Sequence, residues 1–145
     1  MRSLTLSLLL LGACTTAREY QVDQVSDSIA LLRIVGVTVT GDATKVMFRY
    51  QADEQSRRIG VHPPGHSGAF VITDADGAAG TYALVESRGI ATLPARTNVA
   101  RGESHDFTLV FVPLPTPVRR VHISEGTYAP ETGETSWRFT NVVLR

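Results

Sequence analysis

From Ile29 onward the chain alternates short apolar-and-polar runs with turn residues. "RIVGVTVT" (33–40) and "KVMFRYQA" (45–52) are rich in β-branched and aromatic side chains, and Gly41-Asp42-Ala43-Thr44 between them reads as a hairpin connection. In the second run Val46, Phe48 and Tyr50 fall on one face, while Lys45, Met47, Arg49 and Gln51 fall on the other. That period of two is what a half-buried strand shows. Further strands are expected at about 57–62, 69–74, 80–86, 105–112, 118–124 and 136–144, with Asp74-Ala75-Asp76-Gly77 as a turn. Pro113, Pro115 and Pro117 stop the strand that ends near Val112, because proline cannot donate to a ladder. In "SWRFTNVVL" (136–144) Trp137, Phe139 and Val143 share one face and Arg138 and Thr140 the other. Asn141 interrupts the apolar side and calls for a buried partner or a sheet edge. No long stretch carries apolar residues at helical spacing. About eight short strands with Gly and Pro turns predict an all-β fold, an antiparallel β-sandwich of immunoglobulin-like topology without the Cys–Trp–Cys pin.

The chain before Ile29 follows other rules. Met1-Arg2 is a short positive start, Leu4 to Ala13 is apolar apart from Thr5 and Ser7, and small residues precede Cys14, the single cysteine of the chain. Charge, apolar run and small-residue site make up the grammar of a secretory signal. The apolar run is about ten residues, half of the roughly twenty that a spanning helix needs. Leu11-Gly12-Ala13-Cys14 resembles a bacterial lipobox, the signature of lipoprotein precursors. The resemblance implies cleavage before Cys14, a diacylglycerol on its sulfur and an acyl group on the new amino terminus. Two or more chains, at about 0.8 kcal/mol per buried CH2, make a stable anchor where one does not. By the same resemblance, Thr15 rather than an aspartate after the cysteine favours the outer membrane. Residues 15–28, "TTAREYQVDQVSDS", are polar with scattered valines and read as a tether with a first edge strand at Tyr20 to Val25. The expected organisation is a signal peptide at 1–13, a polar tether at 14–28 and one β-sandwich domain at 29–145.

Composition narrows the function classes. Fourteen Lys+Arg balance fourteen Asp+Glu, so no net field directs the chain to nucleic acid. A hydrophobic share of 43% argues for a packed core rather than disorder. A mature chain of about 130 residues buries roughly two-thirds of its unfolded surface and needs no disulfide or metal staple.

The loop "HPPGHSGAF" (62–70) holds most of the candidate chemistry. His62 and His66 are candidate metal ligands, imidazole being a common ligand of zinc and copper. With Pro63, Pro64 and Gly65 between them they also read as a rigid turn, and His105 and His122 fall on separate strands. Ser67, in Gly65-His66-Ser67-Gly68-Ala69, sits one residue away from a nucleophile elbow. That motif has meaning only between a strand and a helix of a larger α/β fold, so a hydrolase using Ser67 is the remoter alternative. Asp74–Gly77 lacks the third acid and distal glutamate of a calcium loop. Arg57-Arg58 and Arg119-Arg120 read as solvated pairs, and Trp137, Phe107, Phe111 and Tyr82 as core. The segment 87–104 has few strand signals and is long for a connection, the mark of a functional or mobile loop.

The landmarks His62–Asp74, Tyr82–Ile90, Phe107–Pro113, Glu125-Gly126 and Trp137–Leu144 resemble those of immunoglobulin-like domains in exported bacterial proteins, over roughly 29–144. They inform fold and imply no catalytic residue. The expected function is a lipid-anchored accessory or binding module of the bacterial envelope. No enzyme activity and no cofactor are expected. A membrane is expected as partner through the N-terminal lipid, with a protein partner in the envelope and no nucleic acid. The candidate binding surface is the loop His62-Pro63-Pro64-Gly65-His66 with the 87–104 segment.

Overall fold

The computed structural model describes residues 16–77, 80–126 and 136–145. Every regular element among them is a β-strand: β1 (Arg18–Tyr20), β2 (Gln24–Val25), β3 (Leu32–Val39), β4 (Thr44–Gln51), β5 (Arg57–Ile59), β6 (Phe70–Asp74), β7 (Thr81–Arg88), β8 (Thr97–Val99), β9 (Ser104–Phe111), β10 (Arg120–Glu125) and β11 (Arg138–Val143). All strand pairings are antiparallel, in the order β1-β3-β4-β9-β7-β6-β10-β11, with β2 also on β3 and β5 pairing β8 apart from this path. β7 joins two layers: Thr81–Ala83 pair with β6, whereas Leu84–Arg88 pair with β9. The curled sheet makes the all-β, sandwich-like body expected from the alternation. Cys14 and the 1–13 segment lie outside the described residues.

The core lies between the layers. On β4 the predicted face is inside, with Val46, Phe48 and Tyr50 buried and Lys45, Met47, Arg49 and Gln51 exposed. Phe48 is fully buried and meets Phe107 on the adjacent strand at 5.1 Å, and Phe70 and Phe139 across the interior at 5.8 and 5.7 Å. Such ring pairs contribute about 0.5–1.5 kcal/mol each beyond area burial. Phe48 therefore ties both layers together. Phe107 and Phe111 are buried and Tyr82 and Trp137 are partly so, packed against the same core.

Three bulges change which residues face inward. In β11 the register passes from Val121↔Val142 to Ile123↔Phe139, so two residues oppose one. Asn141 takes the left-handed conformation there (φ 54°), its N–H donates to His122 Nδ1 at 3.1 Å, and its side chain is exposed. The alternation expected for 136–144 consequently reverses past this point: Val142 and Leu144 are buried, and Val143 is 43% exposed. Asn141 is not in the core and has no buried partner among the described residues; it stands on β11, the last strand of the order, where it makes the bulge. The same two-against-one register occurs in β3 between Ile34 and Gly36 and in β7 between Leu84 and Glu86, the latter leaving Val85 exposed.

Residues 18–28 are part of the body. β1 and β2 are two pieces of one edge strand running the length of β3, from Arg18↔Val39 to Val25↔Arg33. Their polar side chains close the remaining seam against β11. Gln24 Nε2 donates to Thr140 O at 2.8 Å, Ser26 Oγ to Arg138 O at 2.9 Å, and Asp27 accepts from Thr140 N and Oγ1. The polar residues that read as a tether here satisfy backbone groups of β11.

The 87–104 segment is ordered too. β8 within it pairs with β5, Leu93 N donates to Val61 O at 2.8 Å, Val61 N to Ala91 O at 3.1 Å, and Ile90 and Val99 are buried. β5 falls within the strand expected at 57–62, whereas β8 has three residues, too few to display a period, and is not legible in a segment with few strand signals.

Strand direction gives the body two poles. At one lie the start of β1, the 40–43 turn, the 112–119 segment, the 74–77 turn and the end of β11. At the other lie the end of β4, the start of β9, the 62–69 loop, Glu125-Gly126 and the start of β11.

Candidate functional site

The 62–69 loop enters β6 and is built by local hydrogen bonding. His66 N donates to Pro63 O at 3.1 Å and Ala69 N to His66 O at 3.0 Å, two consecutive turns, the first preset by the fixed φ of Pro64 and the second centred on Ser67-Gly68. His66 Nδ1 accepts the Gly68 N–H at 2.9 Å. The His62 and His66 rings stack at 4.2 Å between centroids with planes 1° apart. Gly68 permits this: a Cβ there would lie 2.7 Å from His62 Cδ2.

Glu125-Gly126 backs the loop. Gly126 has φ 67°, its N–H donates to Ala69 O at 2.9 Å, and an added Cβ would lie 3.2 Å from Ser67 O, so close approach and left-handed backbone both require glycine. Glu125 Oε2 accepts the Trp137 N–H at 3.1 Å. Burial pushes the Glu125 carboxyl above the ordinary glutamate range, and the bond from Trp137 opposes that only in part. A hollow of about 240 Å3 opens beside the loop, lined by Gly65, His66, Ser67, Ala69, Phe70 and Gly126 among others.

The loop brings together His62, Pro63, Pro64, Gly65, His66 and Ser67, with the two imidazoles stacked on each other. Ring-nitrogen lone pairs lie in the ring plane, so two parallel stacked imidazoles aim them side by side rather than at one point. His66 Nδ1 is a hydrogen-bond acceptor, so in the neutral ring the hydrogen is on Nε2. A metal on Nε2 would move that hydrogen to Nδ1, against the Gly68 N–H. Loading this pair would rebuild the loop. Among the described residues no three His, Cys, Asp or Glu side chains stand together as a metal-holding group. His105 Nε2 is bonded to Gly89 O, and His122 Nδ1 accepts from Asn141. Ser67 is exposed, and among the described residues its Oγ makes no hydrogen bond to either imidazole.

Of the other charged candidates, Asp74, Asp76, Arg57 and Arg120 have partners at the surface. Asp74 Oδ1 caps the 74–77 turn through Asp76 N, and Asp76 is bound by Arg120. Arg57 pairs with Asp53 at 2.8 Å. A hollow of about 580 Å3 forms a groove over the outer face of β3 and β4, crossed by the Asp23–Arg33 pair at 3.1 Å and bordered by the bidentate Arg49–Asp106 pair. Hydrogen bonding to Arg49 holds the Asp106 carboxyl below its usual range. Exposed pairs of this kind contribute little stability.

Sequence reasoning found the loop and its Glu125-Gly126 landmark, but not that they touch. Comparison with protein-family models, with curated proteins and with solved structures gives no match.

Proposed function

We propose that the protein is a lipid-anchored module of the bacterial cell envelope, held to the membrane by acylated Cys14 and acting by binding a protein partner rather than by catalysis. The observation that carries the reading is spacing. The one cysteine stands directly behind the apolar run, and the folded body begins four residues later at Arg18. Cleavage before Cys14 would remove no part of that body. Thr15 favours the outer membrane, facing the periplasm. The binding surface of this reading is the 62–69 loop with Glu125-Gly126, because a prebuilt loop loses little entropy on association.

Growth with labelled palmitate tests the anchor. The product is expected to carry label and to partition into detergent, and Cys14→Ser to lose both. Label retained in Cys14→Ser, or an unmodified Cys14 thiol by mass spectrometry, would overturn the assignment.

A further inference from the structure

Given the lipid anchor just proposed, on which this step rests, we infer that the body stands on the bilayer on the pole formed by the 40–43 turn and the Val112–Val118 segment, and holds the 62–69 loop away from it. Four Cα-to-Cα steps lead from Cys14 to Arg18. At about 3.5 Å per residue they reach at most about 14 Å. Arg18 is fixed on the body: it pairs opposite Val39, and its guanidinium donates to Leu114 O and Thr116 O, each at 3.3 Å. The eight residues of β4 run from this pole to the other and span about 25 Å at roughly 3.3 Å per residue. The tether is shorter than the body. The start of β1 must therefore lie near the lipid headgroups, and the 62–69 loop is at the far end of the strands.

The 112–118 segment suits such a seat. Val112 is 36% exposed, and Pro113, Pro115 and Pro117 are exposed with it. A backbone brought against a low-dielectric surface costs free energy for each polar group left unpaired. Here three residues have no N–H to desolvate. Val112 N already donates to Ala83 O, Leu114 N to Thr44 Oγ1 and Val118 N to Pro115 O, while Arg18 occupies the carbonyls of Leu114 and Thr116. A tip rich in proline and valine, with the amides of Val112, Leu114 and Val118 already bonded, beside the anchored terminus fits a lipid surface as occupant. The loop and Glu125-Gly126 then face the aqueous side, where a partner from another layer of the envelope meets them.

The chain offers a clean test, since the acylated Cys14 cannot react with maleimides. Thr116→Cys and Ser67→Cys variants, each labelled with an environment-sensitive fluorophore, are reconstituted as the mature lipoprotein into phosphatidylethanolamine/phosphatidylglycerol vesicles. A fraction of the lipid carries a headgroup nitroxide quencher. The probe at 116 is expected to lose at least half of its emission and the probe at 67 less than a tenth. Equal quenching, as for a body lying on its side, or stronger quenching at 67 would overturn the orientation while mass spectrometry still shows lipid on Cys14. A bare Cys14 would instead remove the anchor and the orientation with it.

Discussion

Replacing Gly68 by alanine tests how the histidine loop is held together. The new Cβ would lie 2.7, 3.0 and 3.3 Å from three atoms of the His62 ring, closer than packed carbons tolerate. Gly68 does not have a positive φ, so the substitution acts through this contact and not through backbone strain. Two responses compete. If the ring stays, the loop must shift, and overpacking of this kind costs about 1–3 kcal/mol. If the half-buried ring swings into solvent, it forfeits its stack on His66, about 0.5–1.5 kcal/mol by analogy with other ring pairs. The cheaper response sets the cost, so Gly68→Ala is expected to destabilise by about 1 kcal/mol, roughly 3–5 °C in Tm for a domain of this size. With His62→Ala already present the clash has no partner. Gly68→Ala should then cost nothing beyond the few tenths of a kcal/mol within which independent sites add. Urea denaturation of the four proteins of this cycle, in a Cys14→Ser background, measures the coupling. Equal costs of Gly68→Ala with and without His62 would refute the stacked arrangement and the rigidity drawn from it.

The bulge in β11 predicts a strong residue preference at 141. Asn141→Val should cost about 1–2 kcal/mol, because a left-handed backbone crowds a side chain and a β-branched one most. Asn141→Gly should stay within about 1 kcal/mol of the parent; a valine variant as stable as the parent by urea titration would contradict the bulge. Glu125 predicts the sign of a pH dependence. Its native carboxyl keeps its proton to higher pH than the unfolded chain does, so folding takes up a proton in that window. The contribution is full below the unfolded value and is lost as pH rises through the native one. Asp53, Glu86 and Asp106 have the opposite sign: their depressed values add stability above the unfolded range, and it is lost as pH falls through them. Relative to the parent, Glu125→Gln should gain stability as pH rises from mild acid to neutral. A difference that does not change with pH would count against a buried Glu125 carboxyl.

The sequence by itself determined the strand-rich class, the inward faces of β4 and β9, the 40–43 and 74–77 turns, and the stop imposed by Pro113. These depend on near neighbours: a period of two, a β-branched run or a missing N–H is visible within a few positions. The position of the histidine loop was equally legible, since proline and glycine fix it locally. Only the tertiary structure decided what depends on residues far apart in the chain. The bulge at Asn141 is a mismatch with β10 and has no meaning within β11 alone, although an asparagine breaking an apolar face was its visible trace. The serines and aspartate at 26–28 look solvated until Arg138 and Thr140 meet them across the seam. Support of the histidine loop by Gly126 and the separation of that loop from the start of β1 by the length of the body follow from strand pairing. Long-range pairing sets those distances, and no local pattern encodes them.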